Sequence, residues 1–331
     1  MNKRIMNMAA ALSVMGMLLP LSAGGEGTSA PILYMRLGNV DAKALIEKLA
    51  PEGTDMESVL AGRQVMEGYG DDIGGVKAHR DLYTLEGMTV YVQEPSGEIT
   101  IEWDSEIKTE YERIQEQQRE KYDPDGDFYL DDGRTMLFTR DHRFIEEAGE
   151  AAEHATRFAQ ALAKKLGIEL LPNPVGGMVY TQTYPDGQTL EMGDARFGMV
   201  RHGLPVESLN YWSEISRMGY YVRAESMSVE WCEDQITRAT INTYEVESAE
   251  AWEGDLIPLE EARSAVEDEI ERMKNATGME PFVDICYMPV PDPRGELYAR
   301  FVPAWRFRFL GAEREEGNCH RVNACTGEVI R

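Results

Sequence analysis

Two stretches of this chain repeat apolar residues at three- and four-residue spacing, and each is followed by segments that alternate with a period of two. In the first, Phe144, Ala148, Ala152, Ala155, Phe158, Ala159, Leu162 and Leu166 form one stripe. Thr139 or Asp141 is placed to cap this helix, and Gly167 to close it at C′. In the second, Pro258 suits a first helical turn, Leu259, Ala262, Val266, Ile270 and Met273 make the stripe, and Asn275 to Gly278 ends it. A helix with one apolar stripe must bury it, and the alternating strands that follow offer the matching face. The chain is therefore predicted to be α+β, with a helix laid on an antiparallel sheet, twice in tandem.

The strands expected after the first helix are Gly177 to Tyr184, Ala195 to Val200 with a hairpin through His202-Gly203 to Leu204-Pro205-Val206, and a long hairpin of Met218 to Trp231 with Gln235 to Val246. Pro185-Asp186-Gly187 reads as a turn. After the second helix come Phe282 to Met288, Leu297 to Leu310, and a closing hairpin of His320 to Ala324 with Glu328 to Ile330. Trp305, Phe307 and Phe309 should face opposite Arg306 and Arg308. The units span 138–250 and 256–331, divided near Ala249 to Asp255.

A smaller α+β region, 31–137, precedes them. Ile32 to Leu37 reads as a strand, and Asp41 caps a helix through Leu49. Met56 to Val76 is Gly-rich and acidic, a loop with some helix, and its Gly68 to Gly75 run is expected to be mobile. Leu82 to Val92 and Glu98 to Trp103 pair across the turn Pro95-Ser96-Gly97. Ser105 to Tyr122 is polar all round, as an exposed helix would be. Asp123-Pro124-Asp125-Gly126-Asp127 alternates acidic oxygens, but an EF-hand needs Gly at its sixth position, where Phe128 stands; a solvated turn is expected.

Residues 1–24 carry Lys3 and Arg4, an apolar run from Ile5 to Leu21, and then small residues. This is the pattern of a secretory signal peptide, with an uncleaved N-terminal anchor as the alternative. No Cys follows Leu21-Ser22-Ala23, so no direct lipid anchor is expected. The protein is predicted to be extracytoplasmic, secreted or associated with the cell envelope. An exported chain can oxidise its thiols, which makes Cys232, Cys286, Cys319 and Cys325 candidates for disulfides with three pairings open. Cys286 lies in an apolar run and also suits a buried thiol. The tight CxxC pairs of a zinc site are absent, and no metal or cofactor is expected.

With 59 acidic and 33 basic side chains the chain carries a formal charge of −26. That charge disfavours nucleic acid as a partner and adsorption to an anionic membrane surface. No HExxH, GxSxG or GxxxxGK[ST] motif occurs. The carboxylate pair Asp131/Asp132 reads as solvated surface, and none of His79, His142, His154, His202 or His320 has a nucleophile close in sequence. Partners distant in sequence stay open for each. Tyr220-Tyr221, or Trp212 with Trp231, suit either a ligand groove or cross-strand packing. No catalytic residue is assigned, and the chain is expected not to be an enzyme.

Ile257-Pro258-Leu259-Glu260-Glu261-Ala262, Tyr287-Met288-Pro289, Phe301-Val302-Pro303-Ala304-Trp305-Arg306-Phe307 and Val322 to Ile330 form an ordered set. It resembles uncharacterised bacterial exported proteins, often lipoproteins, of a domain-of-unknown-function family with PepSY- and YycI-like units. Phe197 to Val206 resembles the corresponding hairpin of an upstream unit. The resemblance runs from near residue 138 to the end and brings no catalytic residues. It implies a non-catalytic binding or regulatory module that acts through contact with an envelope or membrane protein. An exported hydrolase with a carboxylate and His site, and a structural surface protein, are the alternatives.

Overall fold

The computed structural model describes residues 30–38, 40–70, 72–106, 112–114, 116–117, 139–145, 149–184, 187, 189–207, 225–309 and 319–330. The expected signal segment, Asp123 to Asp127, Asp131/Asp132, Trp212, Tyr220-Tyr221 and most of the polar helix lie outside these residues.

The architecture is α+β, with mostly antiparallel sheets and few helices. In the N-terminal third, β1 (Ile32–Arg36) leads to α1 (Ala42–Leu49), α2 (Met56–Ala61) and β2 (Gln64–Glu67). Then come β3 (His79–Leu85), β4 (Met88–Glu94) and β5 (Glu98–Trp103). Asp41 and Asp55 cap the two helices, each accepting an N–H three residues on. Leu82 to Val92 is not one strand: Glu86-Gly87, with Gly87 at φ +73°, folds it into a tight hairpin.

In the next stretch, β6 (Thr139–Phe144) and α3 (Glu150–Leu166) precede β7 (Gly176–Thr183) and β8 (Thr189–Gly198). The short pair β9 (Val200–Arg201) and β10 (Leu204–Pro205) turns through His202 and Gly203, both at positive φ. β11 (Ser226–Cys232), β12 (Gln235–Asn242) and β13 (Glu245–Glu250) follow. The last stretch holds α4 (Leu259–Ser264), α5 (Glu267–Thr277), β14 (Phe282–Pro291), β15 (Tyr298–Arg308), β16 (Cys319–Asn323) and β17 (Val329–Ile330).

The first helix starts later than its stripe predicts. Thr139–Phe144 pairs with β7 instead, Gly149 at φ +57° breaks the chain, and Phe144 stands 61% exposed. Ala155, Ala159, Leu162 and Leu166 are buried as expected, and Gly167 ends the helix in the left-handed conformation. Pro258 caps α4 rather than entering its first turn, and the second helix breaks at Ala265-Val266. Ala262, Val266, Ile270 and Met273 nevertheless form one buried stripe against Phe307, Phe309 and Val322.

Nine strands form one sheet in the order β2-β3-β4-β5-β12-β11-β8-β7-β6. The second sheet runs β13-β1-β15-β16-β17, with β14 on the other side of β15. Each sheet draws strands from both sides of the expected unit boundaries. Ile99 on β5 pairs with Ile241 on β12, and Leu33 on β1 with Phe301 on β15. The predicted strand Gln235 to Val246 also divides, β12 staying in the nine-stranded sheet while β13 joins β1.

One apolar core contains the inner faces of both sheets, including Val90, Ile101, Val229 and Phe197 from one and Leu33, Tyr287 and Phe301 from the other. α3 packs on β8 and β11, and α1 packs on α3. The two helix ends cap each other: Lys48 Nζ donates to the Leu166 carbonyl at 2.9 Å and Lys165 Nζ to the Leu49 carbonyl at 3.3 Å. No helix among the described residues is long and apolar enough to cross a membrane.

Candidate functional site

β2 is the last strand of the nine-stranded sheet, with β3 on one side and, among the described residues, no strand on the other. Its register is regular, Gln64 opposite Leu82 through Glu67 opposite His79. One step further, the Gly68 N–H donates to the Ala78 carbonyl at 3.1 Å. Antiparallel pairs alternate between hydrogen-bonded and non-bonded, so Gln64, Met66 and Gly68 bond to β3. Val65 and Glu67 therefore turn their N–H and C=O groups to the open edge. Val65 is 45% exposed there, and two more exposed apolar side chains follow closely in the chain, Tyr69 at 45% and Val76 at 41%.

Next to this edge the period of two gathers ionisable groups on the inner face. His79, Asp81 and Tyr83 alternate along β3, and β4 brings Glu94 opposite His79. His79 Nε2 lies 3.9 Å from Asp81 Oδ1, and Arg63 Nε 3.4 Å from the same oxygen. Tyr83 Oη is 3.5 Å from Asp81 Oδ2. Asp81 is buried, His79 half-buried. Burial pushes the Glu94 carboxyl above the usual range; His79 partly offsets this and Asp81 adds to it. Burial likewise raises the Tyr83 phenol. Two carboxyl groups, Asp81 and Glu94, and the His79 imidazole thus share one face, and burial raises the pKa of Glu94.

The outer face of the same strands holds Arg80, stacked over the rings of Tyr69 (5.2 Å) and Tyr91 (5.4 Å). Its Nη2 donates to Gln93 Oε1 at 3.0 Å. Between these faces the Gly-rich run is anchored, contrary to the expectation of a mobile loop. Ile73 is fully buried, Asp72 accepts the Ala78 N–H at 2.8 Å, and the Gly74 N–H donates to Glu296 at 2.9 Å.

The other sequence candidates do not converge here. All four cysteines are free. Cys286 lies opposite Ala304 and Cys319 opposite Arg308, on opposite sides of β15 and four residues apart along it. Two strand spacings alone put them about 10 Å apart, beyond disulfide reach. Cys232 is in the other sheet and Cys325 in the turn before β17. Burial pushes Cys232, Cys319 and Cys325 up to about 11, and Cys286 higher still. His154 lies on α3, His202 in the β9–β10 turn and His320 on β16, all apart from His79, while the side chain of His142 lies outside the described set. Trp231 is buried across Gly193, where an added Cβ would stand 2.1 Å from its ring, which makes it a packing residue. Among the described residues no group of three or more His, Cys, Asp or Glu is placed to hold a metal ion.

Two buried glutamates hold the chain elsewhere. Glu207 meets Arg306 Nη1 at 2.7 Å, and Arg306 also holds Asp284 through Nε at 2.8 Å and Nη2 at 2.5 Å. Arg306 is buried because this network neutralises it. Glu225 is clasped by Arg201 and by Thr243 and Tyr244. Both sets use their charges on one another and serve to fix the chain.

No family model matches this chain, and no curated protein matches it. Among solved structures, an uncharacterized protein from Eubacterium rectale is similar over 92% of this chain and 85% of that chain, with 13% identity and a TM-score of 0.48.

Proposed function

We propose that this is an exported binding or regulatory protein of the cell envelope, non-catalytic, that acts by protein contact at the β2 edge. The observation that carries the reading is Val65 on a terminal strand, 45% exposed, with Tyr69 and Val76 exposed close by in the chain. A monomer normally blunts a sheet edge with charge or proline, and β13, with Glu245, Glu247 and Glu250, is blunted in that way. β2 carries one carboxylate, Glu67, and an apolar rim. Export is supported by Lys3, Arg4 and the apolar run behind them. Helix-on-sheet packing, of α3 on the nine-stranded sheet and of α4 and α5 on the second, agrees with the coarse pattern of PepSY- or YycI-like modules, although the two sheets exchange strands across the expected units.

A photo-cross-linker placed at Tyr69 in living cells tests this. The reading expects a discrete envelope adduct from Tyr69 and none from Glu271 on the exposed side of α5. The same diffuse labelling from both positions overturns it.

A second reading, an exported hydrolase, is favoured by one observation, the meeting of His79, Asp81 and Glu94 on one face. It requires that a chromogenic ester, glycoside or peptide be turned over and that Asp81→Asn abolish the turnover without loss of folding. Equal rates for wild type and Asp81→Asn would dismiss it.

A further inference from the structure

We infer that β2 accepts an extended, cationic segment of a partner protein as a tenth strand of the large sheet; this rests on the binding reading above and specifies its partner. Strand addition needs an unpaired row of backbone groups, and the bonding parity assigns those of Val65 and Glu67 to the edge. It also needs side chains for the added strand to lie against. Val65, exposed on the edge strand itself, supplies one, and Tyr69, held against Arg80, adds a rigid ring beside the strand's end.

The charge selects the partner. The whole chain carries −26, the open strand itself bears Glu67, and the helix leading into it bears exposed Glu57. Of the nearby cations, Arg63 is drawn to Asp81, Arg80 is stacked between two tyrosines, and exposed Lys77 is outnumbered by the exposed carboxylates Glu57, Glu67 and Asp72. A Lys- or Arg-bearing strand is therefore steered toward this edge, whereas a second copy of the chain would bring another −26 against it.

The experiment uses the full chain and three labelled synthetic peptides of equal length, read by fluorescence anisotropy. One alternates Lys and Val, one alternates Glu and Val, and one is the Lys/Val peptide with Pro at its centre. The Lys/Val peptide is expected to bind, more weakly as salt rises, and the other two not. Val65→Pro removes an outward donor and leaves the β2–β3 bonds in place, so it should weaken binding about tenfold with the fold retained. Val65→Thr keeps the donor and should bind as the wild type does. Equal binding of the Pro-interrupted peptide, or indifference to Val65→Pro, would overturn strand addition while a Tyr69 adduct would leave the contact reading standing. No binding of the Lys/Val peptide overturns it as well. A dimer that disappears in Val65→Pro would make a second copy the occupant and overturn the choice of partner.

Discussion

Arg201 holds Glu225 with two guanidinium nitrogens, Nε to Oε2 at 3.0 Å and Nη2 to Oε1 at 2.6 Å. Glu225 is fully buried, and its Oε1 also accepts the Thr243 hydroxyl at 3.1 Å and the Tyr244 N–H at 3.0 Å. The pair ties the β9–β10 hairpin to the point where the chain leaves the nine-stranded sheet for β13. Removing one member leaves the other charge buried without its counterion. Glu225→Ala should cost about 3–5 kcal/mol of stability, measured by urea unfolding. Joint replacement by Arg201→Met and Glu225→Leu should cost less than Glu225→Ala alone.

Gly193 lies opposite Trp231 in the β8–β11 register, and a methyl group there would stand 2.1 Å from the indole. Trp231 is buried and cannot swing out without opening the core. Gly193→Ala is expected to destabilise by about 1–3 kcal/mol and to shift the tryptophan fluorescence. Gly176→Ala, where nothing lies within 4 Å, should be close to neutral.

Glu94 gives a pH signature opposite in sign to that of a salt-bridged carboxylate. Its folded pKa is raised by burial, so the folded state retains the proton over a range where the unfolded state releases it. Stability from this group is present below the ordinary carboxylate range and is lost as pH rises through that range to the folded value. Glu94→Gln should therefore raise Tm at pH 7, and the gain should vanish on acidification below about pH 4. A gain that grows on acidification would contradict the assignment.

The thiols should be slow. Cys232, Cys319 and Cys325 are pushed up to about 11 by burial. A disulfide-exchange reagent at pH 8 should therefore label the native protein far more slowly than an unfolded chain. In guanidinium without reductant, four thiols should titrate, in keeping with four free cysteines. A count of two would mean that a disulfide forms in solution.

What the sequence made legible was local. The stripe Ala155, Ala159, Leu162 and Leu166, the Gly167 stop and the alternation of Trp305 and Phe307 with Arg306 and Arg308 depend on neighbours a few residues away, and the structure keeps them. Phe144 misled because its spacing fits the stripe, although the pairing of Thr139–Phe144 with β7 prevails. The sharing of strands across the expected units was not legible, because Ile99 meets Ile241 only through a pairing of residues 142 positions apart in the chain. At the site, the placing of His79, Asp81 and Tyr83 on one face follows from the period of two and was there to be read. The arrival of Glu94 depends on the Glu86-Gly87 turn. The openness of β2 is a property of what does not pair with it, and no residue in Gln64–Glu67 announces that.

Residue-resolved amide exchange by NMR on the free chain, and then with the Lys/Val peptide, tests the open edge most directly. The account predicts that Val65 and Glu67 exchange rapidly while Met66 and Gly68 are protected, and that the peptide slows Val65 and Glu67. Protection of Val65 and Glu67 already in the free protein would contradict it.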